Sequence, residues 1–171
     1  KIKKKYNDDK NSFDINGTLD LTNSAIDISK LNYKKKNGKI SELSFDVNFI
    51  PDKYYYIQDL KFLADKTNIH LNNIKLNKNF EVDDFKKIEI KTFLNEIKNN
   101  DFIVEKSKKI IIAGKIFDAE PLLKSLYKKS DKKTFSKNFN SDIKINFKKA
   151  LDGTNDNVSN LSMVGSIKKG S

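Results

Sequence analysis

The chain has 171 residues, of which 37% are hydrophobic, and a formal charge of +11 carried by 34 basic residues that are all lysine. That length buries one sizeable core or two small ones, and the absence of cysteine excludes disulfides and thiolate metal sites. No stretch approaches the roughly 20 apolar residues that span a bilayer as a helix, and a basic surface without arginine lacks the residue best suited to bidentate phosphate and guanine contacts.

Lys1 to Ser12 is polar and reads as a frayed end or cut boundary, or as an incoming strand. The chain begins at Lys1 rather than Met, so it is expected to be a fragment. Residues 13–171 read as one β-rich unit, with strands over 13–116, a helix over 119–128 and strands over 140–168. Phe13, Ile15, Leu19 and Leu21 alternate with Asp14, Asn16, Thr18 and Asp20. Gly17 falls on the apolar side of that strand, where it predicts a close approach. Thr22 to Ser24 is a turn, and Ile26, Ile28, Leu31 and Tyr33 predict one strand with a bulge. Asn37-Gly38, inside a lysine-rich run, predicts a type I′ hairpin turn.

Leu43, Phe45, Val47 and Phe49 alternate with Ser44, Asp46 and Asn48 and are stopped by Pro51-Asp52. Tyr54 to Phe62 is the next strand. Ile69, Leu71, Ile74 and Leu76 make another, with a break at Asn72-Asn73, and Phe80 and Val82 continue in short pieces. Residues 85–97 fit a strand or a helix. Strand is favoured, because Lys98-Asn-Asn-Asp101 reads as a turn into Phe102-Ile-Val104 and so as part of a meander. A Leu-x-apolar triplet recurs unevenly at Leu31, Leu43, Leu60 and Leu161, a weak repeat of the kind β-rich chains show by chance.

The sequence turns on residues 108–127. Ile110 and Ile112 alternate, and Ile116-Phe117 closes the strand. Asp118 is placed as an N-cap, with Pro121 tolerated in the first turn. Ala119, Leu122, Leu123 and Leu126 form one apolar stripe followed by lysines, so the helix is expected to plug or cap a sheet. Ser130 to Asn138 reads as a polar linker. Ile143, Ile145 and Phe147 form a strand, Asp152 to Asn157 a loop, and Val158, Leu161, Met163 and Val164 a last strand.

The expected fold is therefore mainly β: a long antiparallel meander curled into a groove, or folded as a sandwich, with one short amphipathic helix. Each strand has one apolar face, and one helix is too small to cover them all. Each apolar side chain left in water forgoes about 1.5–3 kcal/mol. Catalysis is not expected. His70, the single histidine, sits with Asn68 and Asn72 on a polar strand face and reads as solvated. Asp14, Asp20, Asp83 and Asp84 read as solvating charges, and no His/Asp/Glu cluster has metal-ligand spacing. With no glycine-rich phosphate loop, no cofactor is expected. Tyr54, Tyr55 and Tyr56 alternate faces and so do not build a flat stacking platform for bases. No specific nucleic acid is expected as a partner; a lysine-rich surface does attract anionic headgroups, so an anionic membrane surface is a candidate partner.

The run Gly114-Lys-Ile-Phe-Asp-Ala-Glu-Pro-Leu-Leu-Lys-Ser-Leu126 resembles a strand-to-helix element of the AsmA-like superfamily, in its YhdP-type members. Phe13 to Leu21 is similar to their repeated strands, and Ala150 to Leu161 to the loop and strand after their helix. The resemblance implies an internal segment of a periplasmic β-groove, part of an inner-membrane-anchored protein whose anchor is not in this chain. It also implies shielding of phospholipid acyl chains in transit between inner and outer membranes. The partners would be those acyl chains. Leu43, Phe45, Val47, Phe49, Leu60, Phe62, Ile69, Leu71, Ile143, Ile145 and Phe147 are the candidate groove residues, with ordinary sandwich core as the alternative for each. The rival reading of the whole chain is an extracytoplasmic β-sandwich or repeat module with a structural or adhesion role.

Overall fold

Two-residue alternation makes most of this chain strand. The computed structural model describes residues 1–9, 11–126, 134–154 and 157–171. In chain order it contains β1 (Ile2–Asn7), β2 (Ser12–Asp20), β3 (Ile26–Ile28), a 3₁₀ turn (Ser29–Leu31), β4 (Tyr33–Lys35), β5 (Ser41–Ile50) and β6 (Tyr54–Ala64). It continues with β7 (Thr67–Asn77), β8 (Val82–Leu94), β9 (Ile97–Lys106), β10 (Ile110–Asp118), α1 (Glu120–Leu126), β11 (Ser141–Leu151) and β12 (Asn157–Ile167). All but β3 and β4 form one open, ten-stranded sheet in the order β1-β2-β5-β6-β7-β8-β9-β10-β11-β12, so the mainly β reading holds. β3 and β4 pair as a separate antiparallel ribbon, and no second sheet large enough for a sandwich forms among the described residues.

The sheet is antiparallel except between β10 and β11, which run parallel. A parallel neighbour requires the chain to return to the starting end of the sheet. α1 begins that return, and this is why the helix lies where it does. Its N-terminal geometry is close to the expectation: the Asp118 carboxylate accepts the Glu120 amide at 3.2 Å. Two residues of its stripe are not buried, however. Leu122 is 52% and Leu123 40% exposed, so the helix links two strands rather than plugging the sheet. Its expected last turn at 127–128, part of the linker at 130–138 and part of the loop at 152–157 lie outside the described residues.

Local turn signals mislead in several places. Asn95 and Glu96, with φ of 49° and 67°, make the reversal between β8 and β9. The expected turn at 98–101 is instead strand, with Asn99 and Asn100 buried. Asn37-Gly38 does not close a hairpin. Gly38 alone takes positive φ (82°), and the turn joins β4 of the ribbon to β5 of the large sheet. The single strand expected over 26–33 is broken by the 3₁₀ turn and by Asn32 at φ 49°, which folds it back as β3 and β4. Asn73, at φ 53°, kinks β7 without ending it. Phe80 belongs to the β7–β8 turn, and residues 2–7 pair with β2 along their length.

Register places the apolar side chains on one face. One row across the sheet runs Leu19, Leu43, Phe62, Ile69, Ile90, Phe102, then Gly114, Phe147 and Leu161. Gly114 is required there because a Cβ would collide with Phe102 and the Asp101 carbonyl. Its absence lets the Phe102 and Phe147 rings meet edge to face at 5.6 Å. Gly17 answers a similar need at β1: a Cβ there would lie 2.5 Å from the Lys1 carbonyl oxygen.

Two segments strap the apolar face, one at each end of the strands. Residues 22–40, including the β3–β4 ribbon, pack Tyr33, Ile26, Ile28 and Leu31 onto Phe62, Ala64, Ile69 and Leu43. At the opposite end residues 134–140 place Phe135 and Phe139 against Ile74, Phe85, Ile110 and Ile143. This second strap pairs with Val82 of β8, through Val82 N–H to the Thr134 carbonyl (2.9 Å) and Ser136 N–H to the Val82 carbonyl (3.0 Å). It also accepts the Gly170 amide on the Phe139 carbonyl at 3.0 Å.

Polar groups fasten the first strap. Lys35 is buried, and its ammonium donates to the carbonyls of Leu21, Thr22, Ser24 and Lys36 at 2.7–3.2 Å. Asn100 is fully buried; its amide donates to the Leu31 carbonyl (2.9 Å) and the Thr92 hydroxyl (2.9 Å) and accepts the Asp118 N–H (3.0 Å). Asn99 donates to the Leu31 carbonyl and to the Asp118 carboxylate. Asn32 donates to both Asp118 and Glu120. The knot joins the strap to β8, β9, β10 and α1. Asn100→Ala would leave several of these groups unsatisfied, and we expect a loss of at least about 2 kcal/mol in urea unfolding. A loss below about 0.5 kcal/mol would show that the knot does not hold the strap.

Candidate functional site

The sequence-derived groove residues share one face. Phe45, Leu60 and Leu71 are cross-strand partners, as are Leu43, Phe62 and Ile69. Towards the other edge of the sheet, on the same face, Ile143, Ile145 and Phe147 of β11 lie opposite Ile110, Ile112 and Gly114 of β10. They do not share one environment. Phe62, Ile69 and Phe147 are buried, Leu43 and Leu71 pack against the first cluster, and Leu71 and Ile143 against the second. Phe45, Val47, Phe49, Leu60 and Ile145 are half-buried and belong to neither strap's cluster.

The face between and beside the straps is thus apolar and only partly covered, above all around Ile15, Phe45, Val47 and Leu60 of β2, β5 and β6. There Ile15, Val47 and Ile57 form one cross-strand row, and Phe45 faces Leu60 across the next. Gly17 stands opposite Phe45, which leaves that ring without a cross-strand side chain on β2. Along the end away from the ribbon runs a ladder of rings: Tyr6 to Phe13 (4.8 Å), Phe13 to Phe49 (5.0 Å), Phe49 to Tyr55 (5.9 Å) and Tyr55 to Phe80 (4.6 Å). Such pairs add to area burial. The Lys4 ammonium lies over the Phe13 ring at 4.5 Å. Sequence reading selected Phe49 alone from the ladder, although the alternation of Phe13 with Ile15, and of Tyr55 with Ile57, carried the same signal. Ile15, Ile57, Ile88, Val104 and Ile112 were likewise legible as apolar alternation and fall in the same rows.

The opposite face is polar and laced with charge. His70, expected to be solvated, is held between two carboxylates: Nε2 lies 2.5 Å from Asp59 and Nδ1 3.3 Å from Glu89. Glu89 in turn meets the Lys87 ammonium at 2.6 Å. Strand pairing produces this arrangement, since His70 and Glu89 are direct cross-strand partners on β7 and β8. No hydroxyl or thiol nucleophile hydrogen-bonds the imidazole among the described residues, and none of them group as a metal-binding cluster. The arrangement fits polar pairing across and along strands on a solvated face. Among the described residues no helix is long and apolar enough to cross a membrane.

Compared with family models, with curated proteins and with solved structures, the chain shows no match.

The hydrogen bond from Lys87, with a further one from His70, holds the Glu89 carboxyl below the usual glutamate range. A carboxyl depressed in the folded state contributes stability that is complete above its unfolded pKa and is lost as pH falls through the folded value. The urea midpoint is therefore expected to fall on acidification through the carboxylate range, and less steeply in Glu89→Gln. Parallel acid profiles for the two proteins would remove Glu89 from the account.

Proposed function

We propose that this chain is a segment of a β-groove protein that shields phospholipid acyl chains in transit between two membranes, in the manner of the AsmA-like, YhdP-type proteins its 114–126 run resembles. One observation carries the reading: an open sheet presents an apolar face on which Ile15, Phe45, Val47 and Leu60 of β2, β5 and β6 lie outside both strap clusters. An acyl chain laid across those rows gains about 0.8 kcal/mol per methylene removed from water and asks for no directional contact. Many weak, interchangeable contacts are what a sliding chain needs. The polar face, with Lys87 paired to Glu89 along β8 and to Glu105 across on β9, supplies the water-facing wall. The work is non-catalytic, and its place is the periplasm as part of an inner-membrane-anchored protein.

Native mass spectrometry and lipid extraction of gently purified protein test this. Phospholipid is expected to co-purify, and Phe45→Asp/Phe49→Asp is expected to lower it about tenfold, since a charge in an apolar contact costs more than one decade of affinity. The β-type circular dichroism should be kept. A lipid-free protein with the same spectrum and cooperative unfolding would overturn the groove and favour a structural or adhesion module.

A further inference from the structure

A second site lies at the ribbon end of the sheet. The first strap and the β6–β7 and β8–β9 turns enclose an open cavity of about 430 Å³. Its inner wall is apolar and aromatic. Tyr33 and Ala64 are buried there and Phe93 is half-buried. Burial pushes the Tyr33 hydroxyl above the usual tyrosine value, so it stays neutral and brings no competing charge. The outer wall is cationic. Lys34, Lys36, Lys39 and Lys66 line it, against the acidic Asp65 and Glu96.

These lysines are not equivalent. Lys34 is paired with Asp27 at 3.4 Å and Lys66 with Glu96 at 3.6 Å. Lys35, also at the cavity, spends its ammonium on backbone carbonyls. Lys36 and Lys39 make no ion pair among the described residues and are exposed. They flank the Asn37-Gly38 turn, which is fastened by the Gly38 amide to the Thr22 carbonyl (2.9 Å) and by Lys35. Two uncompensated ammonium groups on a fastened turn, above an aromatic wall, suit an anion with several oxygens and an apolar portion. Lysine binds phosphate as a point charge and needs no bidentate fork.

We propose that this cavity binds a phosphate group through Lys36 and Lys39, with the ligand's remaining atoms against Tyr33 and Phe93. The phosphate is supplied by a phospholipid headgroup or by a small soluble phosphate. The site shares no residue with the apolar patch on β2, β5 and β6, so it stands or falls apart from acyl-chain shielding.

The test has two arms at one fixed ionic strength. Inorganic phosphate is titrated into the protein by amide-resolved NMR, with chloride as the control. Binding to phosphatidylglycerol vesicles is measured by sedimentation, with phosphatidylcholine vesicles as the control. Each is run on the native chain, on Lys36→Gln/Lys39→Gln, and on Lys144→Gln/Lys148→Gln, which removes two exposed lysines from β11. We expect the pocket pair to weaken binding at least about tenfold and the β11 pair to change it less than about threefold. Saturable phosphate shifts at Tyr33, Lys36 and Phe93 would identify a small phosphate. Pocket-dependent binding of phosphatidylglycerol vesicles without those shifts would identify a headgroup. Equal losses for the two lysine pairs would mean diffuse attraction and would overturn the site, as would the absence of binding in both arms.

Discussion

Asn100 is fully buried, and its amide answers three partners on three different parts of the chain: Leu31 of the first strap, Thr92 of β8 and the backbone of Asp118 at the end of β10. A buried amide must have its bonds satisfied, because leaving one open costs far more than making it gains. The position of the strap, the end of β10 and the start of α1 are therefore set together. The opposite end of the sheet is closed by another means. There Phe139 lies among Ile74, Phe85 and Ile110, with Phe135 stacked on it at 4.4 Å. Apolar packing is non-directional and tolerates small displacements; a hydrogen-bonded knot does not. One end of the face is fixed by a buried knot of side-chain hydrogen bonds; the other combines this aromatic packing with backbone hydrogen bonds to Val82 and Gly170.

That asymmetry bears on what the apolar face does. Strap contacts use up the rows on β7 through β10, where Ile74, Ile88, Val104 and Ile112 join a cluster. Ile15, Phe45, Val47 and Leu60 on β2, β5 and β6 join neither cluster and are left to one another and to the ring ladder. A surface that is half-buried by its own neighbours is not a closed core, and under the proposed function an acyl chain would complete its cover. The proposed phosphate cavity lies at the knotted end, beside the ribbon, where charge can be placed with fixed geometry. Acyl contacts and a headgroup contact make opposite demands, one for smoothness and one for position, and the two ends of this sheet differ in that sense.

How much of this was legible depends on the kind of signal. Strand content and facing followed from alternation, because the side-chain period of a strand is two and survives with few exceptions. The four bulges, at Asp46/Val47, Lys75/Leu76, Thr92/Phe93 and Gly114/Ile116, shift register locally, yet the apolar rows resume beyond them. Turns were harder. Asn95-Glu96 reverses the chain, while Asn99-Asn100 four residues later is strand, although asparagine is a turn residue in both pairs. What separates them is Asp118 and Leu31, far away in sequence, which give Asn99 and Asn100 their bonds. Asn37-Gly38 failed as a hairpin for a related reason, since its flanking strands are committed to different sheets. The helix was found, but its apolar stripe did not reveal that a parallel strand pair, rather than burial, is what calls for it. Of the site, the face was readable and the straps were not, because a strap is defined by what it crosses.

The outer strands of the sheet are unlike. β1 reads Ile-Lys-Lys-Lys-Tyr-Asn, with lysines on both faces of the strand, whereas β12 runs from Asn157 to Ile167 without a charged residue or a proline and exposes Val158, Met163 and Val164. Lysine on an outer strand discourages pairing with another chain, and an uncharged, apolar one invites it. The sheet thus has a guarded margin and a receptive margin. Strand addition has a polarity: a further strand joins beside β12 at little electrostatic cost, while beside β1 it must first accommodate a line of ammonium groups.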